Sequence, residues 1–257
     1  MYPVLFEFNG IPVYAHGFFL NLALFVCLMV VVAESRRRSW PKGEIYIISL
    51  SAFVGGMIGA RVSIAFFNGW QTAPVVLDFY RLFDPRIGPG SILGAVAGAY
   101  IAGFIASRAI GKAGCVCDAF APAMALAMFI GRFGCFLSGE DGLGTPTGLP
   151  WGVWNGSYLA HPTPIYEAAF NLVWFFALLL LSSHPRMQNG NLLKLGLAGY
   201  AIVRFWIEFV RNNRVVIWGL TGQQYACLAI LLAIALYYAY QLTRTRRPGM
   251  VKNKWPA

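Results

Sequence analysis

The sequence predicts an all-α integral membrane protein of about seven transmembrane helices, with the N-terminus outside and the C-terminus cytoplasmic. Three observations lead there. Of 257 residues, 58% are hydrophobic and only 12% are charged, whereas a soluble domain carries about 25% charged residues. Seven stretches are apolar over the roughly 20 residues that a helix needs to cross the hydrocarbon. The basic residues collect in alternate connections between those stretches. The net charge of +10 is therefore read as the signature of cytoplasmic loops, and no nucleic-acid partner is expected.

The apolar stretches run over 16–34, 45–67, 90–107, 114–134, 163–182, 192–211 and 220–242. The chain reads as one polytopic domain, 1–257. Outer-face loops are expected at 68–89 and 135–162, and a basic cytoplasmic tail at 243–257. Arg36, Arg37, Arg38 and Lys42 follow the first helix, Arg108 and Lys112 the third, and Arg186 and Lys194 the fifth; Arg244, Arg246, Arg247, Lys252 and Lys254 lie in the tail. By the positive-inside rule these connections face the cytoplasm. An odd number of crossings then places the N-terminus outside. Gly55, Gly59 and Ser63, and Gly90, Gly94, Gly98 and Ala102, recur at spacings that let helix backbones approach closely in lipid. The five cysteines show no C-x-x-C or Cys/His ligand spacing, so neither a metal site nor a disulfide framework is expected. The first residues lack a basic region and a cleavage site, so the first helix is expected to insert uncleaved.

Ionisable residues inside membrane helices are costly and mark function by default. Here they are Arg61, Arg132, Arg204 and Glu208, joined by His16. Given the orientation above, all five fall in the outer half of the bilayer. Arg204 and Glu208 are spaced i, i+4 on one helix face, so Glu208 is expected to orient Arg204. Three guanidinium groups at one depth suit a phosphate, whose oxygens the planar fork binds in pairs. The phosphate source at that depth is a phospholipid headgroup. The loop after the fourth helix is dense in Gly and Pro and leads into Ala160-His161-Pro162-Thr163-Pro164-Ile165-Tyr166-Glu167. Thr163 reads as a helix N-cap with Pro164 at the first helical position. That leaves His161, Tyr166 and Glu167 unexplained by helix initiation.

The ordered set of motifs resembles the prolipoprotein diacylglyceryl transferase family. It comprises G-A-R (Gly59–Arg61), G-R-F-G-C-F-L-S-G-E (Gly131–Glu140), P-T-G-L-P-W-G (Pro146–Gly152), H-P-T-P-I-Y-E (His161–Glu167), Y-A-I-V-R-F-W-I-E-F-V-R (Tyr200–Arg211) and G-L-T-G-Q-Q (Gly219–Gln224). The resemblance implies a bacterial cytoplasmic-membrane enzyme. It would transfer the diacylglyceryl group of phosphatidylglycerol to the lipobox cysteine of a prolipoprotein, form a thioether and release glycerol phosphate, without a cofactor. It implies that Arg132 and Arg204 are the essential arginines, Glu208 their acidic partner, Glu140 the acidic residue of the signature loop and Gly144 its later glycine. Arg61, Ser91, Cys135, His161, Tyr166, Glu167 and Tyr200 are then expected to bind substrate.

Three positions depart from the family pattern. Where the family reads S-F-H-G-G, this chain reads Ser91-Ile92-Leu93-Gly94-Ala95, so Leu93 replaces a histidine proposed as the thiol's base. His16 stands in place of a tyrosine, and Cys135 in place of an asparagine. A thiol of ordinary pKa, near 8.5, ionises more readily beside arginines. His16 is thus expected to face the arginine cavity, either as the replacement base or as a hydrogen-bond partner of the headgroup. The departures leave two alternatives open: a phospholipid-dependent transferase with another acceptor, and a non-catalytic lipid-binding relative.

Overall fold

The computed structural model describes residues 2–8, 11–67, 92–111, 116–139, 143–213 and 215–245. Seven long helices follow one another among these residues: α1 (Ala15–Arg37), α2 (Lys42–Phe67), α3 (Ile92–Ala109), α4 (Phe120–Ser138), α5 (Thr163–Leu181), α6 (Asn191–Ile207) and α7 (Gly222–Thr245). Five of them, α1, α2, α4, α5 and α7, carry windows long and apolar enough to cross a membrane. Their bounds follow the apolar stretches closely. The fourth differs most, because α4 continues to Ser138 before Gly139 ends it with φ 68°. Cys135 therefore lies in a helix and not in the expected outer loop.

Three short antiparallel hairpins also form among the described residues, which the helical pattern does not reveal. They are β1 (Val4–Phe8) with β2 (Ile11–Tyr14), β3 (Val153–Trp154) with β4 (Leu159–Ala160), and β5 (Val215–Ile217) with β6 (Leu220–Thr221). The loop 68–89 and the tail from 246 onward lie outside the described residues.

The chain divides into two compact units, one of residues 1–30 and 118–257, the other of residues 31–117. In the second unit α2 packs on α3 across glycines. A Cβ on Gly59 would meet the Gly94 carbonyl oxygen, and one on Gly98 would meet that of Gly55. The expected small-residue series thus brings the backbones into contact, as packing in lipid favours. At the end of α1, buried Glu34 pairs with Arg37 at 2.9 Å and Arg38 at 3.6 Å. Cys117 is disulfide-bonded, whereas the cysteine spacing led to no expected disulfide.

In the first unit α4 packs on α5, α5 on α6, and α6 on α7. The start of α1 lies on α4 at Gly134, where a Cβ would touch Phe19 and approach the backbone of Ala15 and His16. Gly199 leaves room for the Trp174 ring, whose Nε1 donates to the Gly196 carbonyl at 3.3 Å. The α6 N-terminus is capped from another element. The fully buried Asp118 accepts from the backbone of Gly190 at 2.8 Å and Leu193 at 3.0 Å, placing a carboxylate on otherwise unsatisfied N–H groups at the positive end of the helix. The α7 N-terminus is a capping box. Thr221 N donates to Gln224 Oε1 at 2.9 Å, and Gln224 N donates to Thr221 Oγ1 at 3.4 Å. Gln224 Nε2 also donates to the Phe205 carbonyl at 3.3 Å, tying α7 to α6.

Candidate active site

The helix ends of the first unit converge on one carboxylate. Glu167, 1% exposed, projects from the first turns of α5. Arg132 of α4 lies 2.6 Å from its Oε2, while Arg204 of α6 and Arg211, just beyond α6, lie 3.0 and 3.2 Å from its Oε1. Tyr200 donates to Glu167 Oε2 at 3.5 Å and accepts from Arg132 Nη2 at 3.5 Å. Arg204 Nη2 also sits 2.9 Å from Glu208 Oε2, and Arg211 Nε lies 3.9 Å from the same oxygen.

Glu208 is held independently: Asn213 Nδ2 and Thr221 Oγ1 donate to its Oε1 at 2.6 and 2.8 Å. The Thr221 hydroxyl therefore uses its proton on Glu208 and a lone pair on the α7 cap. Among the described residues, three guanidinium groups share two carboxylates, which leaves one unbalanced positive charge. Arg211 lies past the end of α6 at Ile207. Burial, and then the like charge of Arg204, push its pKa below the ordinary value, while Glu167 raises it. Arg132 is the most open of the three, with 16% of its side chain exposed against 9% for Arg204 and 12% for Arg211.

His16 extends this cluster. Its Nδ1 lies 3.9 Å from Cys135 Sγ, and the Cys135 thiol interacts in turn with Arg132. The Cys135 thiol thus lies between His16 and Arg132. The shared sequence spacing of Arg132 and Cys135 (i, i+3) puts both on one face of α4.

His161 and Tyr166 form a neighbouring aromatic group. The Tyr166 hydroxyl is 3.3 Å from His161 Nδ1 and accepts from Trp151 Nε1 at 2.9 Å. Gly144 threads between these elements. It donates to the His161 carbonyl at 2.8 Å and bridges to Arg211, and a Cβ there would meet the Val210 carbonyl oxygen. Only glycine fits, so Gly144 secures the signature loop against Arg211. Thr163 proves to be the first residue of α5 and not its cap, which is Pro162.

Ser91 and Glu140 lie outside the described residues, as do the side chains of Arg61 and Leu93. The sequence reading did not count Arg211 as a site residue, yet Arg211 joins Arg132 and Arg204 on Glu167. It also passed over Asn213, Thr221 and Trp151. For Thr221 and Gln224 the T-x-x-Q spacing was the available signal.

The sequence model of the family described as prolipoprotein diacylglyceryl transferase matches residues 3–240. The chain belongs to that family. Relatives named phosphatidylglycerol–prolipoprotein diacylglyceryl transferase include one from Finegoldia magna, 28% identical over 90% of this chain and 92% of its own. One from Thermosynechococcus vestitus is 30% identical over 90% and 88%, and one from Clostridioides difficile 27% identical over 92% and 94%. The matched residues of this diacylglyceryl transferase family member include every side chain of the arginine–carboxylate cluster.

Proposed function

We propose that this protein transfers the diacylglyceryl group of phosphatidylglycerol to the lipobox cysteine of a prolipoprotein. One observation carries the chemistry: buried Glu167 gathers Arg132, Arg204 and Arg211 into a cluster with one surplus positive charge. A phosphodiester headgroup carries one negative charge and matches it. In the transfer, the thiolate sulfur bonds to the glyceryl carbon as that carbon's bond to phosphate oxygen breaks. Negative charge grows on the departing glycerol phosphate, and fixed guanidinium donors stabilise it more than they do the bound lipid. Glu167 and Glu208 hold the arginines in place before the lipid arrives. His16, beside Cys135 and Arg132, accepts the proton of the incoming thiol.

The family membership and the five membrane-length helices support a bacterial membrane enzyme. We assign it seven crossings, with the basic connections and tail facing the cytoplasm. The arginine cluster then opens toward the outer half of the inner membrane, where a lipobox segment is presented after export.

Incubation of the purified protein with phosphatidylglycerol and a lipobox peptide tests the reading. The expected product is a peptide whose mass has risen by one diacylglyceryl group, with equimolar glycerol phosphate. Hydrolysis of the lipid without peptide modification would overturn the acceptor assignment. No turnover under conditions that support a relative's activity would overturn the catalytic reading.

A further inference from the structure

The β5–β6 hairpin has a tip whose chemistry neither the cluster nor the fold requires. Its two turn residues, Trp218 and Gly219, both have positive φ, 50° and 76°. Such a turn ordinarily takes Asn-Gly, and a bulky residue there is an outlier. Trp218 is also 90% exposed, more than any other large hydrophobic residue among those described. A sequence selected only to close this turn would not place tryptophan there.

The hairpin's position supplies a use for that ring. It lies between Val210, where the helical turn after α6 ends, and Gly222, the first residue of α7. Only Leu220 and Thr221 separate Gly219 from α7, so three residue steps limit the reach to roughly 10 Å in extended chain. The tip therefore stays close to the end of a membrane-length helix, where an amphipathic indole is most stable. Val215 on the same hairpin is exposed, as are Trp206 near the end of α6 and Phe209 in the turn after it, their ring centroids 5.8 Å apart. The feet of the hairpin reach the cluster, since Asn213 and Thr221 both donate to Glu208 Oε1.

We infer that the β5–β6 hairpin is an interfacial anchor whose Trp218 seats in the phospholipid headgroup layer and thereby steadies Glu208 at the arginine cluster. The location stands on geometry alone; its effect on turnover rests on the proposed function.

Two measurements separate these. In vesicles of phosphatidylglycerol and phosphatidylcholine, a photoreactive benzoylphenylalanine replacing Trp218 should form phospholipid adducts detectable by mass. Adducts with the lipobox peptide instead, or no lipid adduct, would overturn the anchor. The second uses Trp218→Asn, which suits positive φ better and should keep or raise the melting temperature. If Trp218 served only the turn, this variant would match the wild type. The anchor predicts a several-fold higher KM for phosphatidylglycerol in vesicles, an unchanged KM for short-chain phosphatidylglycerol in detergent, and rescue by Trp218→Tyr. A wild-type KM on vesicles would overturn the coupling. An inactive wild type that still yields lipid adducts would overturn the proposed function and leave the anchor standing.

Discussion

Glu167→Gln isolates the charge on which the cluster depends. The substitution keeps the size of the side chain but replaces one carboxylate oxygen with an N–H donor. Three guanidinium groups lie within 3.2 Å of the native carboxylate. Each such pair is worth about 5 kcal/mol gross at an effective dielectric constant near 20, much of it offset by the cost of burying the charges. Removing one partner of a buried pair costs about 3–5 kcal/mol. For a chain of this size that corresponds to a fall in melting temperature of roughly 10 °C. Arg132 and Arg204 would also lose their fixed orientation, which should lower turnover by about 10²–10³-fold, the range for losing a positioned donor to developing charge.

Thermal unfolding in detergent and diacylglyceryl transfer to a lipobox peptide, measured on the same preparation, check both figures. A variant that melts within about 2 °C of the wild type, well inside the estimated shift, and retains its rate would refute the argument that Glu167 organises the arginines. Loss of stability with full activity would make Glu167 purely structural.

Other perturbations address separate parts of the molecule. Arg132→Ala and Arg204→Ala should abolish lipid turnover, and Lys at either position should restore little, because an ammonium lacks the paired donors of guanidinium; the peptide-modification assay reads both. His16→Ala should slow transfer far more near pH 7 than near pH 9, where a thiol of pKa near 8.5 ionises unaided; an equal loss across the pH–rate profile would remove the base role. Gly59→Val should destabilise the second unit by at least about 1–3 kcal/mol through overpacking, since its side chain would meet Gly94. Gly43→Ala, with open space at its Cβ, should leave the melting curve unchanged. Cysteines introduced at 36–42 and 244–254 should label from the cytoplasmic side and those at 141–158 from outside; external labelling of the tail would reverse the orientation.

The helices were legible because a bilayer imposes a minimum apolar length, and polar residues then interrupt the pattern where the chain leaves it. Glu208 was legible as the partner of Arg204 because i, i+4 spacing fixes their shared face. Glu167 was legible only as a residue that helix initiation leaves unexplained, since its three arginine partners come from segments distant in sequence. Arg211 was not counted as a site residue because it closes the apolar stretch 192–211, although it stands seven residues after Arg204 and so returns to the same side of the chain. The hairpins gave no periodic signal, for strands of two to five residues are too short to show one. Cys135 was placed in a loop because Gly134 and Gly139 both resemble helix stops. Only Gly139 adopts the left-handed conformation that ends α4, whereas Gly134 makes room for α1.

The charge arrangement also constrains which lipid the cluster suits. Three buried guanidinium groups alone would be expensive at the edge of a bilayer. Two carboxylates offset most of that charge and hold the donors in place. Complete neutralisation would remove the attraction for a phosphate, while three unopposed charges would favour a multiply charged anion and bind the released glycerol phosphate too firmly. One surplus charge favours a monoanionic headgroup and still permits the product, once formed, to leave. The Thr221 hydroxyl serves this balance from the opposite side. By donating to Glu208 while capping α7, it keeps the second carboxylate on Arg204 and makes the charge balance depend on the seating of the last helix.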